Sequence, residues 1–117
     1  MTYDLPSNMI SFIDEIVDSF VVWDLLIGFS RRPDTVGTSK TFSTLLGRPQ
    51  EDVDAGLQRL AGKGLLRVRT IDTGETFFEF NPASTLVPTL REFTDLNDSQ
   101  ENRLKILSRL LHRGVSQ

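Results

Sequence analysis

Six side chains in the middle of the chain have the types and spacing that contact a nucleic acid: Arg48, Gln58, Arg59, Lys63, Arg67 and Arg69. Glutamine can pair with the edge of adenine and arginine with that of guanine, so Gln58 and Arg59 are the candidate base readers. With Val53, Leu57 and Leu60 as the buried stripe of a helix, a wheel of about 100° per residue sets Glu51, Ala55, Gln58, Arg59 and Gly62 on the open face. Arg48, in the turn before that helix, is placed for a phosphate contact. Lys63, Arg67 and Arg69 follow it and can reach the nucleic-acid backbone. Three acids oppose this reading: Glu51, Asp52 and Asp54 crowd the start of the same helix. Negative charge there is favoured by the helix dipole, by ~0.3–1 kcal/mol each. Yet that helix end is also the one that approaches the major groove in helix-turn-helix docking.

Other chemistry finds no residues to carry it. There is no cysteine, so a thiolate metal site and a disulfide are excluded, and His112 is the single histidine. No glycine-rich phosphate loop and no metal-ligand spacing appear. The carboxylates fall on helix starts and loops, where solvated acids are ordinary. The expectation is a protein that is not an enzyme and carries no cofactor or metal. Trp23, within "VVWDLL", reads as core rather than as a ligand-stacking residue. Phe77 and Phe78 are neighbours on a strand and must point to opposite faces, with Phe77 the outward one. It either packs against a partner or is shielded at the hairpin. Arg31-Arg32 reads as a solvated loop pair, and Asn97-Asp98-Ser99 as a glycosylation sequon without consequence unless the chain is secreted.

The 117 residues carry a net charge of −3, with 38% hydrophobic and 25% charged side chains, which is the composition of one soluble globular domain. The charge is uneven. Residues 1–37 hold two arginines against six acids, residues 38–80 six basic against six acidic side chains, and residues 81–117 five against four. The central segment is therefore neutral, whereas an autonomous DNA-binding module is usually basic. The start "MTYDLPSNMI" has no signal-peptide pattern, and "FVVWDLLIGF" is too short to span a bilayer. A cytoplasmic location follows as the expectation.

The elements that must position these residues are mostly helical. Ser7 or Asn8 can cap a helix carrying Ile10, Phe12, Ile13, Ile16 and Val17, and the pattern runs on to Gly28 as one helix or as two restarting at Ser19. "SRRPDTVG" breaks it. Thr38 or Ser39 caps a short helix with Phe42, Leu45 and Leu46 inward, and Gly47 ends it. "RPQ" turns the chain, and a further helix runs from about Pro49 or Gln50 to Gly62. "LLRVRTI" and "ETFFEF" form a hairpin around "DTG", with Val68, Ile71, Phe78 and Phe80 toward the core. A helix over about Thr85–Phe93 has Pro88 in its first turn. Asp98 or Ser99 caps the last helix, which stops at Gly114. Fold class is thus mainly α with a small β-hairpin (α+β). The expected division is one domain over 1–117, with terminal helices at 1–30, a helix-turn-helix at 38–62, a hairpin at 65–81 and further helices at 84–114.

The stretch "TSKTFSTLLGRPQEDVDAGLQRLAGKGLLRVRTIDTGETFFEFNP" resembles the winged helix-turn-helix domain of transcription regulators, most nearly the multiple-antibiotic-resistance and arsenical-metal regulator families. The likeness lies in a short helix ending in Leu46-Gly47 and a helix with apolar Val53 and Leu60. It continues through Leu60–Gly64-Leu65 into a two-stranded wing. It implies DNA as the partner, and commonly a symmetric dimer facing two half-sites.

The last helix fits that implication. Leu104, Leu107, Leu110 and Leu111 make an apolar face larger than one small domain needs, and are the candidate homodimer interface. The expectation is a homodimeric transcriptional regulator that binds specific double-stranded DNA, with no membrane association. The alternative is a winged-helix protein-interaction module that does not bind DNA.

Overall fold

The computed structural model describes residues 5–115; residues 1–4 and 116–117, the two ends of the expected domain range, lie outside the described residues. Two helices open the chain: α1 (Ser7–Ile16) and α2 (Phe20–Arg31). They are separate because Ser19 restarts the backbone, its hydroxyl accepting from the Val22 amide. A two-residue strand, β1 (Val36–Gly37), follows the break and precedes α3 (Ser39–Leu46) and α4 (Gln50–Gly62). The hairpin is β2 (Leu66–Thr70) and β3 (Thr76–Phe80), and the chain finishes with α5 (Val87–Asn97) and α6 (Gln100–His112). The fold class is the expected one: mainly helical with a small antiparallel sheet.

β1 is an addition to the expected hairpin. The sheet order is β1-β3-β2, with Val36 opposite Glu79 and Gly37 opposite Phe78. Two residues are too few to show a strand period, so the segment reads only as a break. α5 begins two residues later than expected and runs on to Asn97. The preceding residues are held in turns: Asn81 Oδ1 accepts from the Ala83 amide and Ser84 Oγ from the Leu86 amide.

One core joins all the helices and the sheet. Met9, Ile13, Val22, Leu25, Leu57, Phe78, Phe93 and Leu110 are fully or almost fully buried. Three inward assignments need correction. Val68 and Ile71 are exposed, because β2 is an edge strand on which cover reaches only Leu66 and the preceding Leu65, while Phe78 opposite Val68 lies on the central strand, and Ile71 falls past the end of β2. Leu45 is 66% exposed, because α3 buries only the face carrying Phe42, whose ring packs 5.1 Å from that of Phe29. Phe78 is buried, as expected.

α2 and α4 pack unusually closely at Gly56. A Cβ there would sit 2.9 Å from Leu25 Cδ1 and 3.3 Å from Val21 Cγ1. The glycine sets how near the two helices approach, and with it the tilt of α4.

Candidate functional site

The expected site is built on α3, its turn and α4. Thr38 caps α3 reciprocally with Thr41. Gly47 ends α3 with a left-handed backbone, φ +65°, which a residue with a Cβ adopts at a cost. Ser43 Oγ donates to the Arg48 carbonyl at 2.6 Å, closing the turn. Ser39, at the start of α3, donates its hydroxyl to the Asp54 carboxylate on α4. That acid therefore pins the two helices together. Glu51 and Asp52 stand in the first turn of α4, whose N-cap, Pro49, supplies no side-chain bond. The dipole account of these acids applies there.

The open strip of α4 is Glu51, Ala55, Gln58 and Gly62. Arg59 is not part of it, against expectation. Its Nε donates to the Ile16 carbonyl at 2.9 Å and its Nη2 to the Glu15 carbonyl at 2.7 Å, with Asp18 3.4 Å away. The end of α1 leaves carbonyls without helical partners, and the guanidinium fork supplies them. Arg48 is likewise turned inward, its Nε donating to Asp24 Oδ2 of α2 at 2.7 Å. A wheel shows which way a residue leaves its helix but not what a neighbouring helix end needs, so both assignments required tertiary geometry.

Gln58, Lys63 and Arg67 are exposed as expected. Arg69 is 71% exposed, and Glu79 on the neighbouring strand lies 3.0 Å from its Nη2. Arg67 faces the same carboxylate across the ladder, since it is paired in register with Glu79. The hairpin tip adds Asp72 and Glu75, both exposed. The structure thus leaves Gln58 exposed on α4 and Lys63, Arg67 and Arg69 exposed after α4 and along β2, and sends Arg48 and Arg59 elsewhere.

On α6 the expected interface divides. Leu110 is fully buried in the chain's own core and unavailable to a partner, because the helix packs its Ile106–Leu110 side inward. Leu104 and Leu111 are 53% and 59% exposed, and Leu107 is half-buried. α6 is tied to α1 by Arg109, whose Nε and Nη2 both donate to the Asp14 carboxylate. That bond, more than the guanidinium charges of Arg109 and Arg113, holds the Asp14 carboxyl below the usual range, and it raises Arg109 in turn.

A feature outside the expected site is an open cleft of about 820 Å³ between α2, the turn after α3 and α6. Trp23 lines it, so the residue is only partly core. Its ring stacks on Phe20 at 6.2 Å and its Nε1 donates to Asn97 Oδ1 at 2.8 Å. Asn97 is itself buried, which removes the apparent sequon from any modifying enzyme in the folded chain. The signal for this cleft in the sequence was Gly28, a glycine inside a mostly apolar helix.

Among the described residues there is no cluster of three or more His, Cys, Asp or Glu side chains able to hold a metal, and no helix is long and apolar enough to cross a membrane. No protein-family model, curated protein or solved structure matches the chain.

Proposed function

We propose that the chain is a non-catalytic winged-helix module that binds a protein partner with the face other winged helices turn to DNA. The element order α2-β1-α3-α4-β2-β3 and strand order β1-β3-β2 support the winged-helix reading. The observation that carries the partner class is the commitment of Arg48 and Arg59 to Asp24 and to the end of α1. What remains on the open strip of α4 is Glu51, Ala55, Gln58 and Gly62, which holds no cation to meet phosphates. Exposed apolar side chains stand on the elements around it: Leu45 on α3, Val36 on β1, and Val68 and Ile71 on the hairpin. Such side chains favour a protein surface over a charged backbone.

A homodimeric DNA-binding regulator is the second reading. Lys63, Arg67 and Arg69 stay exposed after α4 and along β2, and Leu104 and Leu111 remain uncovered on α6. Retention of the pure protein on sheared genomic DNA at about 50 and 200 mM salt separates the two, because phosphate contacts weaken severely over that range. The interaction module predicts no retention at either salt. Retention lost at the higher salt, and lost again in a Lys63→Ala/Arg67→Ala/Arg69→Ala variant that keeps its fold, establishes the regulator instead.

A further inference from the structure

We propose that the cleft over Gly28 is a binding site for an apolar monocarboxylate, a single anionic head on a hydrocarbon body. The first ground is Gly28 itself. It stands inside α2, where glycine costs about 1 kcal/mol relative to alanine. A Cβ built there meets nothing within 4 Å, so no close helix approach requires it. Gly56 shows the contrast, being a glycine that a neighbouring helix does require. What Gly28 supplies is room, at the floor of the cleft and of a smaller hollow of about 460 Å³ on its other side.

The second ground is the chemistry of the walls. Phe20, Trp23, Ile27, Leu46, Leu104 and Leu107 make an apolar surface, and the volume suits a ligand of small-molecule size. The charges on it run against the sign of the chain. Arg31, Arg48 and Arg103 line the cleft with Asp24 as the one carboxylate, in a protein of net charge −3. Asp98 stands 3.5 Å from Arg31. Three guanidiniums less these two carboxylates leave one positive charge, which matches a head group carrying one negative charge.

The third ground is preorganisation. Arg48 is held through Nε by Asp24, and Arg103 through one Nη by the Asn97 carbonyl at 2.8 Å. Each fork is fixed by one bond and keeps further N–H donors, the arrangement suited to a carboxylate. Trp23 is oriented by Asn97, a buried side chain. The wall and the head-group donors are therefore set before a ligand arrives.

The chain has one tryptophan, so its emission reports this cleft alone. The full-length protein is titrated with dodecanoate, dodecyltrimethylammonium and dodecanol, each below its aggregation threshold. The expected result is a saturable change in Trp23 emission with dodecanoate, at an affinity at least tenfold above that of either other amphiphile. Gly28→Phe, whose Cβ meets nothing within 4 Å and whose ring fills the floor, should abolish it while circular dichroism stays unchanged. Arg103→Gln should weaken it severalfold, and keeps the test alive if the phenylalanine variant unfolds. Equal affinity for all three amphiphiles, no saturable change, or binding indifferent to both variants overturns the proposal. So does sedimentation showing a dimer that Gly28→Phe converts to monomer, which would make a second copy the occupant.

Discussion

Arg59 of α4 and Arg113, just past the end of α6, converge on the same helix end. Arg59 donates to the carbonyls of Glu15 and Ile16, and Arg113 to those of Ile13, Asp14 and Val17. Most helices end at a glycine or hand their last carbonyls to water. α1 ends instead at Val17 in extended conformation, with its carbonyls met by side chains from two distant elements. This ties the N-terminal helix both to α4 and to the C-terminal helix. Arg59→Ala should lower stability by about 1–2 kcal/mol, as expected for charge-assisted bonds that are partly solvated. Arg59→Lys should recover little, because an ammonium cannot present the two-pronged fork. Urea unfolding followed by circular dichroism checks both. Unchanged midpoints would mean that Arg59 is idle in the fold and available to a ligand.

The bond between Arg109 and Asp14 makes stability depend on acid. The Asp14 carboxyl is held below its ordinary value of 3.8, first by the hydrogen bond from Arg109 and then by the charges of Arg109 and Arg113. A carboxyl lowered in the folded state binds a proton more readily when unfolded. Its contribution is therefore complete above the ordinary value and disappears as pH falls through the lower, folded one. Asp14→Asn should be less stable than the parent at pH 7, and the gap in melting temperature should close as the pH falls progressively below 3.8. A gap that stays constant over that interval would show that the pair contributes through shape rather than charge.

Two helical glycines should respond oppositely to gaining a side chain. Gly28→Ala adds a methyl to open space and gains helix propensity, so stability should rise by about 0.5–1 kcal/mol. Gly56→Leu forces a side chain against Leu25 and Val21, and should cost about 1–3 kcal/mol or more through overpacking. Thermal melts of the two variants beside the parent decide it. A stabilised Gly56→Leu would mean that α2 and α4 can separate freely, and that the glycine does not set the tilt of the open strip.

The elements were legible because their signals are local. Thr38, Gly47, Ser99 and Gly114 punctuate the chain where capping chemistry says they should, and Val53, Leu57 and Leu60 repeat at helical spacing. Phe78 against Phe77 followed from strand alternation. The site was less legible because its residues are chosen by partners far along the chain. Arg48 answers to Asp24, Arg59 to the end of α1, and Glu79 to Arg69. Nothing in the spacing of an arginine says whether it will reach out to a phosphate or back to a carbonyl. Hydrophobic periodicity likewise counted Leu104, Leu107, Leu110 and Leu111 as one face, whereas packing on α1 and α5 splits it between core and surface.

If the scaffold retains groove-reading geometry and only its charges turn it from DNA, a change of charge alone should restore affinity. Glu51 and Ala55 lie one turn apart on the open strip of α4, and Asp54, the acid bonded to Ser39, is left in place. Glu51→Arg with Ala55→Lys replaces one negative charge by two positive ones without touching the core. The parent should fail to bind duplex DNA at about 50 mM salt, and the double variant should bind it without sequence preference. Its log affinity should fall with log salt at a slope of roughly −0.9 for each phosphate neutralised. Fluorescence anisotropy of a labelled duplex across a salt series measures this directly. A folded double variant that still fails to bind would mean that the strip does not face a groove, and that protein contact is built into the shape of the module as well as its charge.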